Sequence, residues 1–181
     1  RCAISTLRFL CEESPENIDF LRDLVTNYSR KWITTLPTRY SALKILIVSG
    51  KFLLPTVFEV TSNSFQILWN TAISDDVELR MDAVKVISIH LNGLPKSSIL
   101  DVRKLFRDCI TQMKLLNSTS HGPLLICRSL LYQYPEEIDI PLLINSLYDL
   151  FTVKSELLIV DVFSLLYEIL RHNTHLFTPD T

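Results

Sequence analysis

The sequence predicts an all-α fold built from repeated helix pairs, and three observations support this prediction. Apolar residues step by three and four positions in several windows, which is the pattern of an amphipathic helix. One such stripe contains Ile18, Leu21, Val25, Tyr28 and Trp32. Turn chemistry for strands is sparse, since the 181 residues include three glycines and Asn92-Gly93 is the only typical hairpin dipeptide. The third observation is a regular spacing of prolines.

This spacing is 40 residues each time, and the prolines are Pro15, Pro55, Pro95 and Pro135. An apolar residue lies eight positions before each of them: Leu7, Ile47, Ile87 and Cys127. The residues three positions after them are Ile18, Phe58, Ser98 and Ile138, three of which are apolar. Since a 40-residue unit of two helices buries its apolar face against its neighbours, the period predicts stacked helix pairs.

A local motif agrees with this period. Residues 76–87 read DVELRMDAVKVI, with an acidic turn residue, an arginine and a small residue three positions later. This stretch resembles the start of the second helix of a HEAT repeat, and residues 39–46 (RYSALKIL) look like a second copy 41 residues earlier. The resemblance to HEAT/armadillo proteins implies an α-solenoid of antiparallel helix pairs, with about 4.5 repeats of about 40 residues. Around residues 121–131 and 156–166 the repeats are assigned by spacing alone.

The period assigns a helix to almost every part of the chain. Second helices are predicted at about 1–12, 38–53, 76–92, 121–134 and 155–171. First helices are predicted at about 15–33, 56–73, 97–116 and 138–152. Asp75 and Glu78 have the spacing of a capping box at the start of one second helix. Periodicity leaves a buried strand open at residues 43–48 and 84–91, where β-branched residues crowd together.

Composition limits the class of protein. We expect residues 1–181 to form a single α-solenoid segment of a longer protein, because Arg1 precedes an apolar helix that lacks a polar cap. Charged residues interrupt the longest apolar stretches, 43–60 and 157–170, so no membrane span is predicted. The four cysteines are scattered in apolar runs, as expected for reduced cysteines of an intracellular protein in the cytoplasm or nucleus.

Signatures of catalysis and cofactor binding are absent from the sequence. The glycines are isolated, which excludes a glycine-rich phosphate loop, and no nucleophile motif is present. His172 and His175 have a helix-compatible metal spacing but no third ligand, and His90 is interpreted as a residue at the edge of the core. Trp32 and Trp69 end apolar stripes, which favours core packing over a role as partner anchors. We therefore expect no catalytic residue, no cofactor and no metal.

One charge pattern predicts a binding surface. In a HEAT-like superhelix the second helices line the concave face, and helices 38–53 and 121–134 contain no aspartate or glutamate. The cations that recur along this row are Lys44, Lys51, Lys85 and Arg128. This row predicts a mildly basic groove that binds an acidic peptide, a partner helix or a nucleic-acid backbone, with an ordinary solvated face as the alternative. A denser cluster of Arg103, Lys104 and Arg107 is flanked by acids and is interpreted as a solvated convex face.

These patterns predict a non-catalytic scaffold that binds proteins within a large intracellular assembly, of the transport, coat-adaptor or nuclear RNA-processing type. Its partners are other subunits and neighbouring repeats of its own chain. Direct nucleic-acid binding along the basic row is the alternative, which the net charge of −2 disfavours. A helical enzyme domain is a second alternative, and it requires convergent polar groups in one pocket.

Overall fold

The computed structural model describes residues 6, 9, 23, 25, 27, 31–49, 63–92, 94 and 96–172. Within these residues the fold is all-α, and no strand is present. The α-helices with defined bounds are α1 (Leu36–Ser49), α2 (Asn63–Ala72), α3 (Val77–Leu91), α4 (Ile99–Met113), α5 (His121–Gln133), α6 (Ile140–Leu150) and α7 (Glu156–His172). The prediction of an all-α fold is confirmed for the described part of the chain.

The helix bounds follow the sequence period closely. The second helices predicted from residues 38, 76, 121 and 155 correspond to α1, α3, α5 and α7. Both windows in which a strand was left open are helical, because they lie inside α1 and α3. Short 3₁₀ turns at Lys96–Ser98, Ser118–Ser120 and Pro135–Glu137 connect the later helices. Pro135 begins such a turn, as its fixed φ angle and missing N–H favour.

Local hydrogen bonds explain where the helices begin. The N-cap of α3 is Asp76, whose carboxylate accepts a hydrogen bond from the backbone N–H of Leu79 at 3.0 Å. The sequence had pointed to Asp75, so the predicted cap was wrong by one residue. Asp139 caps α6 in the same way, accepting from the backbone N–H of Leu142 at 2.9 Å. Each cap satisfies one of the amides that a helix start leaves without an intrahelical partner.

The chain divides into two compact units, Arg1–Asp101 and Val102–Thr181. In the first unit α1 packs beside α3, and α2 packs on α3. Its core contains fully buried aliphatic side chains, including Leu43, Leu68 and Ile87. Each contributes about 1.5–3 kcal/mol through removal from water. Since they come from all three helices, this burial holds α1 and α2 against α3.

The second unit repeats this arrangement. α6 packs on α7, and α7 also lies beside α5. Leu130, Leu147 and Leu165, from α5, α6 and α7, are fully buried in its core. In each unit, helices that are two apart in chain order therefore lie side by side. The single continuous segment over residues 1–181 stays a prediction.

Candidate functional site

In the first unit, the predicted site residue Lys44 is held between two helices. Its ammonium group on α1 lies 2.7 Å from the carboxylate of Asp82 on α3, whose side chain is only 3% exposed. The hydrogen bond to Asp82 raises the pKa of Lys44, with the opposite charge of that carboxylate adding to the effect. Lys44 also lies 5.0 Å from the ring centroid of Tyr40. This lysine is therefore part of a helix-to-helix contact.

Tyr40 makes a second polar link between α1 and α3. Its hydroxyl donates a hydrogen bond of 2.7 Å to Oε1 of Glu78, and this bond is the main cause of its raised pKa. Glu78 also lies 4.0 Å from the ammonium group of Lys44. The carboxylates of α3 thus face the cation of α1, and they offset its charge locally.

Lys85 is the more exposed predicted cation of this unit. Its side chain is 59% exposed, and its ammonium group lies 4.0 Å from Asp82, three residues earlier on α3. The carboxylate of Asp82 therefore lies near the ammonium groups of both lysines, while Lys85 remains accessible to a partner. Lys51 lies outside the described residues.

In the second unit, Arg128 on α5 forms a forked ion pair with Glu168 on α7. Its Nε donates a hydrogen bond of 3.2 Å to Oε2, and its Nη2 donates to Oε1. Paired hydrogen bonds of this kind fix the guanidinium plane and are stronger than single neutral ones. The two side chains are 40% and 32% exposed, so the pair remains accessible from solvent.

This ion pair borders a cavity of about 760 Å³ at the C-terminal ends of α5 and α7. Other lining residues include Tyr132, Gln133, Pro135 and Arg171. Tyr132 is 86% exposed, which is unusual for a large aromatic side chain. With two arginines and one glutamate, the lining carries a formal excess of one positive charge, which suits a single carboxylate or an acidic segment. Tyr132 offers an aromatic surface beside this charge.

A further polar link between α5 and α7 was not predicted. Nε2 of His121 lies 2.7 Å from Oδ2 of Asp161, and His121 is 2% exposed. Its other ring nitrogen, Nδ1, has no hydrogen-bond partner within the described residues. The available sequence signal was the 40-residue separation, which this pair shares with Arg128 and Glu168.

The other residues considered from the sequence lie mostly in structural positions. His90 is buried, with its ring centroid 6.0 Å from that of Phe65, and both Trp32 and Trp69 are half-buried. His172 is the last residue of α7, and His175 lies outside the described residues. In the described part, no three potential ligands are grouped as a metal site needs.

The basic cluster on α4 is exposed, as expected from its flanking acids. Arg103, Lys104 and Arg107 all lie at the surface. Nε of Arg103 donates a hydrogen bond of 2.6 Å to Glu137 in the turn before α6. Across the residues described, no helix combines the length and apolar character needed to cross a bilayer.

Comparison with known proteins gives no family assignment. No family model matches this chain, and no curated protein or solved structure is significantly similar to it. The interpretation of the site therefore depends on the geometry described above.

Proposed function

We propose that this chain is a non-catalytic scaffold segment that binds protein partners within an intracellular assembly. The architecture we propose is an α-solenoid of the HEAT/armadillo type. Support comes from the side-by-side packing of α1 with α3 and of α5 with α7, each with an intervening helix packed on the later one. This is the pairing that stacked helix repeats produce.

The observation that carries this proposal is the recurring separation of the polar links between neighbouring second helices. Tyr40–Glu78 and Lys44–Asp82 join residues 38 apart, while His121–Asp161 and Arg128–Glu168 join residues 40 apart. In both units, therefore, residues that contact each other across neighbouring second helices are separated in sequence by nearly one repeat length. A single closed helical bundle has no reason to keep this separation.

The proposed docking position is the cavity beside Arg128. An acidic side chain of a partner segment can approach Arg128 and Arg171, while its neighbouring apolar groups pack on Tyr132. Because Glu168 already orients Arg128, little side-chain ordering is needed when the partner binds. Lys85 is the matching accessible cation of the first unit.

Nucleic-acid binding is a weaker interpretation of the same cations. Lys44 and Arg128 each contact a carboxylate closely, and Lys85 lies near one. Every such carboxylate repels a phosphate backbone and reduces the counterion release that drives nucleic-acid affinity. A segment that brings only one or two acidic groups fits the cavity better than a polyanion does.

The test is site-specific crosslinking in cells. A photoreactive phenylalanine analogue replaces Tyr132 in the cavity, and the matched control carries it in place of Thr111, which is exposed on α4. We expect a defined protein partner to crosslink at position 132 and not at position 111.

Binding of the purified partner then tests the role of the cations. The exchange variant Arg128→Glu with Glu168→Arg keeps an internal ion pair but reverses the positions of its charges. We expect it to weaken binding by about tenfold or more, whereas Lys104→Glu on α4 leaves binding unchanged. Equal crosslinking at both positions, or full affinity of the exchange variant, contradicts the docking site. Tight binding to oligonucleotides that falls steeply with salt supports the nucleic-acid alternative.

A further inference from the structure

α7 is apolar on two opposite faces. Its inner row, Leu158, Val162, Leu165 and Ile169, is buried in the second unit. A second row faces solvent, with exposed fractions between 47% and 65%; we name it the outer face of α7, and it comprises Leu157, Val160, Phe163, Tyr167 and Leu170. A helix that is apolar on both sides normally packs between two partners.

The other second helices provide the comparison. In α3, Lys85 is the only exposed residue between positions 79 and 91, and in α5 no residue between positions 120 and 131 is exposed. Both helices are covered around most of their circumference. α7 has a comparable apolar composition, but only its inner row is fully buried. The outer face therefore has the character of an interface.

Ring contacts extend this apolar surface beyond α7. The Phe163 ring lies 5.0 Å from that of Phe151, which follows the C-terminal end of α6. Phe151 in turn lies 6.5 Å from Tyr148, which is 75% exposed. The patch thus spans about 20 Å along α7 and continues onto α6, and a contiguous exposed apolar patch of this kind commonly marks an interaction site.

The order of residues along the outer face is self-complementary. Rotation by a two-fold axis midway between Phe163 and Ser164 places Leu157 at the same level along the helix as Leu170 of an antiparallel copy, at the two margins of the contact. The same rotation places Val160 opposite Tyr167 and brings the two Phe163 rings together at the centre. An apolar row that matches its own reverse is what an isologous interface requires.

Charges at the two ends of α7 obey the same symmetry. Glu156 and Arg171 are both exposed, and they are equidistant from the proposed axis. At about 100° per residue they lie within about 60° of each other around the helix, on the side of the outer face. The two-fold rotation therefore places Glu156 opposite Arg171 of the other copy, twice per dimer. Arg171 also lines the cavity beside Arg128, so it lies at the border of the two surfaces.

We propose that the outer face of α7 binds a second copy of this chain, with the two α7 helices antiparallel across a two-fold axis. This inference does not rest on the docking site beside Arg128, with which it shares only Arg171. The apolar row contributes the affinity, while the Glu156–Arg171 pairs at its ends determine the antiparallel register.

Sedimentation equilibrium of the 181-residue chain tests this proposal between about 1 and 200 μM. We expect a monomer–dimer equilibrium in this range. Glu156→Arg weakens it by about tenfold, because two attractive pairs become repulsive. Arg171→Glu has the same effect, and the double exchange Glu156→Arg with Arg171→Glu restores the dissociation constant to within about threefold of the original.

Two substitutions test the apolar row. Val160→Asp weakens the dimer by at least about a hundredfold, because it places a carboxylate inside the apolar contact, against Tyr167 of the other copy. Leu115→Asp alters a similarly exposed leucine after α4 and leaves the equilibrium unchanged. Circular dichroism checks the helical content of each variant. If Val160→Asp fails to fold, Tyr167→Ser replaces it, since removal of this ring also weakens the dimer.

The outcomes that overturn the proposal are distinct. A chain that stays monomeric over the whole range has no such dimer, and its outer face then serves another partner. A dimer that survives both Val160→Asp and Tyr167→Ser uses a different surface. A dimer that the double exchange fails to restore does not have the antiparallel register.

Discussion

Lys44 on α1 and Asp82 on α3 form an ion pair of 2.7 Å in which the lysine is about one-third exposed and the aspartate is almost fully buried. The two side chains therefore differ in how strongly each depends on the ion pair. The ammonium group retains access to water, whereas the carboxylate depends on the lysine for compensation of its burial. This inequality leads to a specific expectation for mutagenesis.

Lys44→Met is expected to destabilise the chain by about 1–3 kcal/mol, because it leaves the buried carboxylate of Asp82 with only the more distant ammonium group of Lys85, at 4.0 Å. The double variant Lys44→Met with Asp82→Leu removes both charges and is expected to be more stable than Lys44→Met alone. Urea unfolding followed by circular dichroism gives both free energies. Additive losses in the double variant would show that the pair is not coupled.

The two polar links between α5 and α7 differ in burial, so we expect their removal to lower the free energy of unfolding by different amounts. Asp161→Ala removes the hydrogen-bond partner of Nε2 in the buried His121 imidazole. The other ring nitrogen, Nδ1, already lacks a partner within the described residues. We expect a loss of about 1–3 kcal/mol. Glu168→Ala removes the more exposed ion pair with Arg128 and is expected to cost less than about 1 kcal/mol.

Urea unfolding of the two variants under identical conditions checks this order. Lys104→Ala, which truncates an exposed side chain on α4, provides a reference for a small effect. An equal or larger loss in Glu168→Ala than in Asp161→Ala contradicts the role assigned to burial.

The contact between α1 and α3 is expected to weaken at high pH. The pKa values of Lys44 and Tyr40 are both raised above their ordinary values of 10.5 and 10.0. The folded chain therefore holds these two protons more tightly than the unfolded chain does. Their stabilising contribution is complete at neutral pH and is lost as the pH rises through the folded-state pKa values.

Measurement of the unfolding free energy between about pH 8 and pH 12 tests this dependence. We expect the unfolding free energy to decline over this range, and the part of the decline above about pH 10 to be smaller in the variant Tyr40→Phe with Lys44→Met. Parallel curves for the two proteins would show that other groups cause the alkaline loss.

Cys109 on α4 and Cys127 on α5 are expected to be inert in the folded chain. Burial raises the pKa of the Cys109 thiol well above its ordinary value, and a hydrogen bond with Cys127 adds to the effect. Since the thiolate is the reactive form, reaction with a disulfide reagent is expected to follow unfolding. The variant Cys2→Ser with Cys11→Ser isolates these two thiols. Rapid modification without denaturant contradicts their burial.

The sequence predicted the helices better than the contacts among them. The 40-residue period placed α3 and α5 within one or two residues of their bounds, because apolar spacing directly reports which residues are buried. Lys44 and Arg128 were predicted to form a basic row because their own helices contain no acids. Their partners Asp82 and Glu168 come from the neighbouring second helix, and the rotation of that helix is determined by tertiary packing.

The cavity beside Arg128 shows the same limit of sequence analysis. It depends on the space between the turn at Pro135 and the end of α7, which has no signature in the composition. The exposure of Tyr132 likewise results from the position of its helix in the fold. The 40-residue separation of Arg128 and Glu168 was the one available signal, and it gains meaning only once α5 and α7 are known to be neighbours.

The end of α4 differs from its predicted position because of one residue with unusual backbone geometry. Residues 97–116 were predicted to be helical, but the helix ends at Met113 and Leu116 adopts a φ angle of 52°. This left-handed conformation costs a residue with a Cβ atom about 1–2 kcal/mol, and glycine adopts it freely. Asn117 then caps the following turn by accepting a hydrogen bond from the backbone N–H of Thr119.

Leu116→Gly is therefore expected to be more stable than Leu116→Ala by up to about 1 kcal/mol, since relief of strain exceeds the entropy that glycine adds to the unfolded state. The Leu116 side chain is 40% exposed, and both substitutions remove its remaining packing, so their difference isolates the backbone strain. Leu115→Gly is the matched control, and we expect it to be destabilising because only Leu116 has a positive φ angle among the described non-glycine residues. Thermal and urea unfolding of these variants give the comparison. Equal stability of Leu116→Gly and Leu116→Ala would show that this turn holds no relievable strain.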